Sequence, residues 1–161
     1  MTPADFVALA EYLFQTNDFA NRALLILLFQ VMGRINESAE TSIENLGFNE
    51  ILRCMTINWN RFKTVSRASY NIFPDACHWQ KDLIHAFATL LLMTQSTSNK
   101  LFPHITAGAS SFVNSLLENI ESTISVPTHG LKSHSGRKGH QHFVLRIQTF
   151  KFNGLLIEVP G

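Results

Sequence analysis

Four residues of this 161-residue chain are of types that could act together on a phosphodiester: Arg34, Lys63, His134 and Arg137. Arginine presents a planar fork of donors that matches two phosphate oxygens, and it stays charged at any working pH. A lysine held just beyond a strand can deliver a proton to a phosphoester oxygen from a fixed position. Histidine exchanges a proton near neutrality, and in H-x-x-R spacing the imidazole and guanidinium share a face if the segment turns as a helix. Each residue also has a plainer role open to it. Arg34 follows Gly33 at the end of an apolar run and could pair with Glu37 or Asp18. Lys63 could be an edge-strand lysine that discourages sheet aggregation.

The charge pattern gathers the cations. Between Glu50 and Asp75 lie Arg53, Arg61, Lys63 and Arg67 with no acid, and between Glu121 and Glu158 lie Lys132, Arg137, Lys138, Arg146 and Lys151, again with none. The remainder holds four basic residues against twelve acids, although the net charge is only +1. If the two basic segments meet in the fold, they form a cationic surface on an acidic body, the footprint of a polyanion-binding protein. If they lie apart, they are solvated loops.

Metal chemistry fits less well. Cys54 and Cys77 are the only cysteines, far apart, and read as small buried thiols rather than a disulfide framework. With His78 and His85 they lack the paired short spacings of a structural zinc site. A metal-dependent phosphoesterase on His134, His140 and His142 would lack the carboxylates such sites recruit, since no acid lies between Glu121 and Glu158. The start of the chain carries Asp5 and Glu11 and does not resemble a signal peptide. The longest apolar run, Ala23 to Gly33, is interrupted by Gln30 and is too short for a bilayer span. A nuclear or cytoplasmic location is therefore expected, with no membrane partner.

These residues need elements to position them. Thr2, Pro3 and Asp5 predict a capped first helix that buries Phe6, Leu9, Ala10 and Leu13. A second helix runs from about Asp18 to Met32 and is apolar nearly all round. "INESAETSIENL" reads as a short polar helix with Glu37, Glu40 and Glu44 outward. From Ile51 the period changes to alternation through Trp59, which predicts a strand, and "SYNIFPDA" predicts a second one stopped by Pro74. Helices follow in "HWQKDLIHAFATLLLM", with Leu83, Ile84, Phe87, Leu90 and Leu91 on one side, and in "SSFVNSLLENIES", burying Phe112, Val113, Leu116, Leu117 and Ile120. The expected fold is α+β, a mostly helical body with a small antiparallel sheet. No repeat or linker divides residues 1–142, and the tail 143–161 alternates like strand.

Taken together, "ALLILLFQVMGRINESAETSIENL", "INWNRFKT" and "LKSHSGRKGHQH" resemble, in order, the boxes of the tyrosine-recombinase (phage-integrase) catalytic domain. The likeness is strongest to recombinases of Crypton and DIRS-like eukaryotic mobile elements. Gly33 and Arg34 match the first arginine box, Trp59 and Lys63 the lysine box, and Ser133, His134, Ser135, Arg137 and Gly139 the second arginine box. The resemblance spans about residues 4 to 142. It implies DNA strand exchange through a 3'-phosphotyrosyl intermediate, without metal or nucleotide cofactor. Arg34 and Arg137 would clamp the scissile phosphate with His134, and Lys63 would protonate the leaving 5'-oxygen. Arg53, Arg61, Arg67, Lys132 and Lys138 would contact the DNA backbone.

One part of the pattern is missing. The family's nucleophilic tyrosine follows the second arginine box, whereas this chain has only Tyr12 and Tyr70, both before it. The expectation is an incomplete catalytic core over 1–142 that binds double-stranded DNA, is inactive alone, and could act only with other recombinase protomers. The alternative is a non-catalytic helical interaction or structural domain, in which the four residues are scattered.

Overall fold

The computed structural model describes residues 3–31, 34–59, 68–94, 98–105 and 108–123. Within them are five α-helices and one antiparallel sheet of three strands in the order β1-β2-β3. The α+β expectation holds for these residues, with the sheet a minor part of a helical body.

Helix α1 (Pro3–Gln15) buries Phe6, Leu9, Ala10 and Leu13, the i, i+3, i+4, i+7 set that one helical face provides. It stops in a Schellman motif. Asn17 takes the left-handed conformation at φ 59°, its N–H donates to the Phe14 carbonyl, and the Asp18 N–H donates to the Leu13 carbonyl. Asp18 then begins α2 (Phe19–Val31), accepting the Asn21 N–H at 3.3 Å. Ten of the thirteen residues of α2 are buried, as its all-round apolar sequence requires. The Phe6 and Phe29 rings stack with centroids 4.0 Å apart, joining α1 to α2.

The polar segment that follows is shorter than one helix. Helix α3 (Ile35–Ala39) ends at Glu40, and a separate 3-10 turn spans Ile43–Asn45. The break has a cause: Ser42 pairs with Lys100, and the Ile43 N–H donates to the Asn99 carbonyl, which pulls the chain out of helical register. Glu37 is also turned inward, with its side chain only 17% exposed, while Glu40 and Glu44 face solvent.

Strand β1 (Leu46–Asn49) is not foreseen by the sequence pattern. It pairs antiparallel with β2 (Cys54–Trp59), Leu46 opposite Ile57 and Asn49 opposite Cys54. Ile51, Leu52 and Arg53, read as strand from their alternation, form the turn between β1 and β2. Strand β3 (Ala68–Ile72) continues the sheet, Ile72 opposite Met55 and Ala68 opposite Trp59. Met55, Ile57, Trp59 and Ile72 enter the core from one face, and Asn58, Ser69 and Asn71 face water on the other.

After a 3-10 turn at Trp79–Lys81, Asp82 caps α4 (Leu83–Met93) by accepting the His85 N–H at 3.0 Å. Leu83, Phe87 and Leu90 are buried, but Leu91 is exposed, because the face that packs on α2 turns away from it. Helix α5 (Ala109–Glu121) buries Val113, Leu117 and Ile120 and half-buries Phe112 and Leu116. Cys54 is buried as expected, whereas Cys77 is exposed in the turn after Pro74. Among the described residues, no helix is long and apolar enough to cross a membrane.

Candidate functional site

Arg34 stands at the N-cap of α3 in extended conformation, with its side chain about half exposed. Its Nη1 lies 3.6 Å from Glu37 Oε1, the partner the plainer role named. With the arginine half exposed and the pair 3.6 Å apart, the contact contributes little stability.

The far end of α3 ties this arginine to the sheet. Trp59 ends β2 fully inside the core, and its indole N–H donates to Thr41 Oγ1 at 3.1 Å. Thr41, itself wholly buried, donates the same hydroxyl to the Glu37 carbonyl at 3.2 Å, and its own carbonyl accepts the Leu101 N–H. From Arg34 to Thr41 is seven residues, roughly 10 Å at helical rise. Trp59 and Ala68, the paired residues on either side of the β2–β3 connection, therefore stand at the sheet end that is tied to the segment following α3. Arg61, Lys63 and Arg67 belong to that connection.

Arg53 sits elsewhere. It occupies the turn before β2, exposed and at φ 49°, so it lies at the opposite end of that strand from Trp59. Six residues at strand rise separate the two, about 20 Å. Of the nine residues singled out from the sequence, Arg34 and Arg53 are described. Arg61, Lys63, Arg67, Lys132, His134, Arg137 and Lys138 lie outside the described residues, as does the tail 143–161.

A second polar centre was not singled out from the sequence. Arg22, the lone cation of α2, is wholly buried. Its Nη2 donates to the Trp79 carbonyl at 2.8 Å and lies 3.2 Å from His85 Nδ1, while the Phe14 and Trp79 rings cover the guanidinium at 5.2 and 5.5 Å. Burial pushes the Arg22 guanidinium below its ordinary pKa, and the Asp82 carboxylate opposes that shift. Burial first and the Arg22 charge second push His85 below the usual imidazole range, again opposed by Asp82. The available signal was one arginine in an otherwise apolar helix, which must find acceptors to be buried at all.

Nearby, Asp75 accepts from His78 Nδ1 at 3.0 Å and lies 3.3 Å from Lys81 Nζ. The hydrogen bond from His78 leads in holding the Asp75 carboxyl below its ordinary pKa, and Lys81 adds to it. Asp75 and Lys81 border a cleft of about 240 Å³ whose other walls include Phe6, Phe29, Ile72 and Phe73. Among the described residues, no group of three or more His, Cys, Asp or Glu side chains is gathered to hold a metal.

Comparison with protein families, with curated proteins and with solved structures found no match to this chain.

Proposed function

We propose that the chain is a DNA-binding domain of the tyrosine-recombinase kind, associated with DNA recombination or integration. The observation that carries the reading is the Trp59–Thr41 hydrogen bond, which ties the base of the connection bearing Arg61, Lys63 and Arg67 to the helix capped by Arg34. The Arg34 side chain is about half exposed, and a guanidinium needs no metal to hold a phosphate. In this reading Arg34 and Arg137 neutralise the phosphate, His134 supports them, and Lys63 stands by the 5'-oxygen. A phosphotyrosyl bond would need a tyrosine brought to the phosphate that these four residues hold.

The test is titration of a fluorescent duplex with the chain and two variants, Arg34→Ala and the triple replacement of Arg61, Lys63 and Arg67 by alanine. Both are expected to weaken binding to every duplex sequence alike, as losses of phosphate contacts do. Unchanged affinity in both would remove the reading.

A non-catalytic interaction domain is the second reading, and it has its own observation. Ile51 at 94% exposed, Phe48 at 66% and Phe73 at 58% stand at one end of the sheet. That reading predicts no affinity for duplex DNA and self-association that Ile51→Glu abolishes, as sedimentation would show.

A further inference from the structure

We propose that Arg22, His85 and Trp79 form a pH-sensitive latch, which fastens the α1–α2 pair to the Trp79–Lys81 turn and α4 and loosens when His85 takes up a proton. The latch is independent of any reading of DNA binding.

The geometry fixes the protonation state. Arginine has only donors, so the 3.2 Å contact between Arg22 Nη2 and His85 Nδ1 is a hydrogen bond only if Nδ1 accepts. The His85 proton must then reside on Nε2, and the imidazole is neutral. A proton added at Nδ1 removes the acceptor and sets two cations against each other at that distance, in a site walled by Phe14 and Trp79. Arg22 cannot move away cheaply, because it is wholly buried and its Nε and Nη1 already have no partner among the described residues.

The groups facing His85 come from every side. Helix α2 contributes the Arg22 cation, and α1 contributes only the Phe14 ring. The 3-10 turn contributes the Trp79 ring, while its Lys81 is directed to Asp75 at 3.3 Å. Among the described residues Asp82 is the one carboxylate acting on His85, and it is occupied: Oδ1 accepts the His85 N–H and Oδ2 accepts the Asp75 N–H. It therefore softens the repulsion without replacing the lost acceptor.

The sign follows from linkage. His85 is held below its unfolded value of about 6.5. The stability it contributes is fully present above that pH and is lost as the pH falls through the lower folded value, because the unfolded state binds the proton more readily. Trp79, now 37% exposed, loses both its carbonyl bond to Arg22 and its ring partner when the latch loosens.

The experiment follows tryptophan emission and the His85 ring nitrogens by NMR from about pH 8 to about pH 4.5, spanning the range in which histidine titrates. Expected are an Nε2–H tautomer at the upper end and a reversible red shift of emission with a midpoint below about 6.5. His85→Gln, whose amide oxygen can accept from Arg22 but does not titrate, is expected to abolish the shift, and His78→Gln to preserve it. Arg22→Met is expected to move the His85 midpoint upward. An Nδ1–H tautomer, an unchanged shift in His85→Gln, or no shift in the intact chain would overturn the latch.

Discussion

Replacing Thr41 by valine tests the joint between the sheet and the helix capped by Arg34. The two side chains have nearly the same shape, so packing is preserved and only the hydroxyl is lost. The Trp59 indole N–H then remains buried with its acceptor gone, and the Glu37 carbonyl loses the donor 3.2 Å away. A stranded buried donor costs about 1–3 kcal/mol, and the second bond adds about 1 kcal/mol. At about 2–4 °C per kcal/mol for a chain of this size, Thr41→Val should lower Tm by roughly 4–16 °C. A cycle with Trp59→Phe isolates the bond, because phenylalanine has no N–H to strand. The loss caused by Thr41→Val should shrink by about 1–2 kcal/mol in the Trp59→Phe chain. Urea denaturation supplies the energies, provided that the slope m is common to all four chains. Losses that add to within about 0.5 kcal/mol would refute the bond and, with it, the link between Arg34 and the β2–β3 connection.

Two further replacements probe the frame. Asp82→Ala removes the cap of α4 and strands the Asp75 N–H, so urea unfolding should register a loss of about 2–3 kcal/mol, with Asp82→Asn recovering part of it. Gly47→Ala brings a Cβ to 2.8 Å from Thr56 Oγ1 and should destabilise the β1–β2 hairpin; Thr56→Ala in the same chain should relieve most of that loss in a thermal melt.

How much of this was legible in the residues depended on distance along the chain. Helices α1 and α5 announce themselves because Phe6, Leu9 and Leu13, or Val113, Leu117 and Ile120, repeat at helical spacing within one segment, and α2 because it is apolar nearly all round. Strand β1 does not, since four residues containing Gly47 show no period, and only pairing with β2 makes them a strand. Ile51 misled in the other direction, as an alternating apolar residue that is 94% exposed in a turn. The helix signalled that Arg22 would need acceptors, but not which ones, because the Trp79 carbonyl lies 57 residues away. Of the proposed phosphate clamp, the exposure of Arg34 and the anchoring of the β2–β3 connection are described. The histidine and second arginine of the motif are known by residue type and spacing alone.

The most direct test of the DNA-binding reading is the salt dependence of the intact chain's affinity for a duplex. Binding should be measurable near about 50 mM salt and fall linearly on a log–log scale, and Arg34→Ala should reduce the slope by about 0.9. No affinity at that salt, or a slope that Arg34→Ala leaves unchanged, would contradict the account.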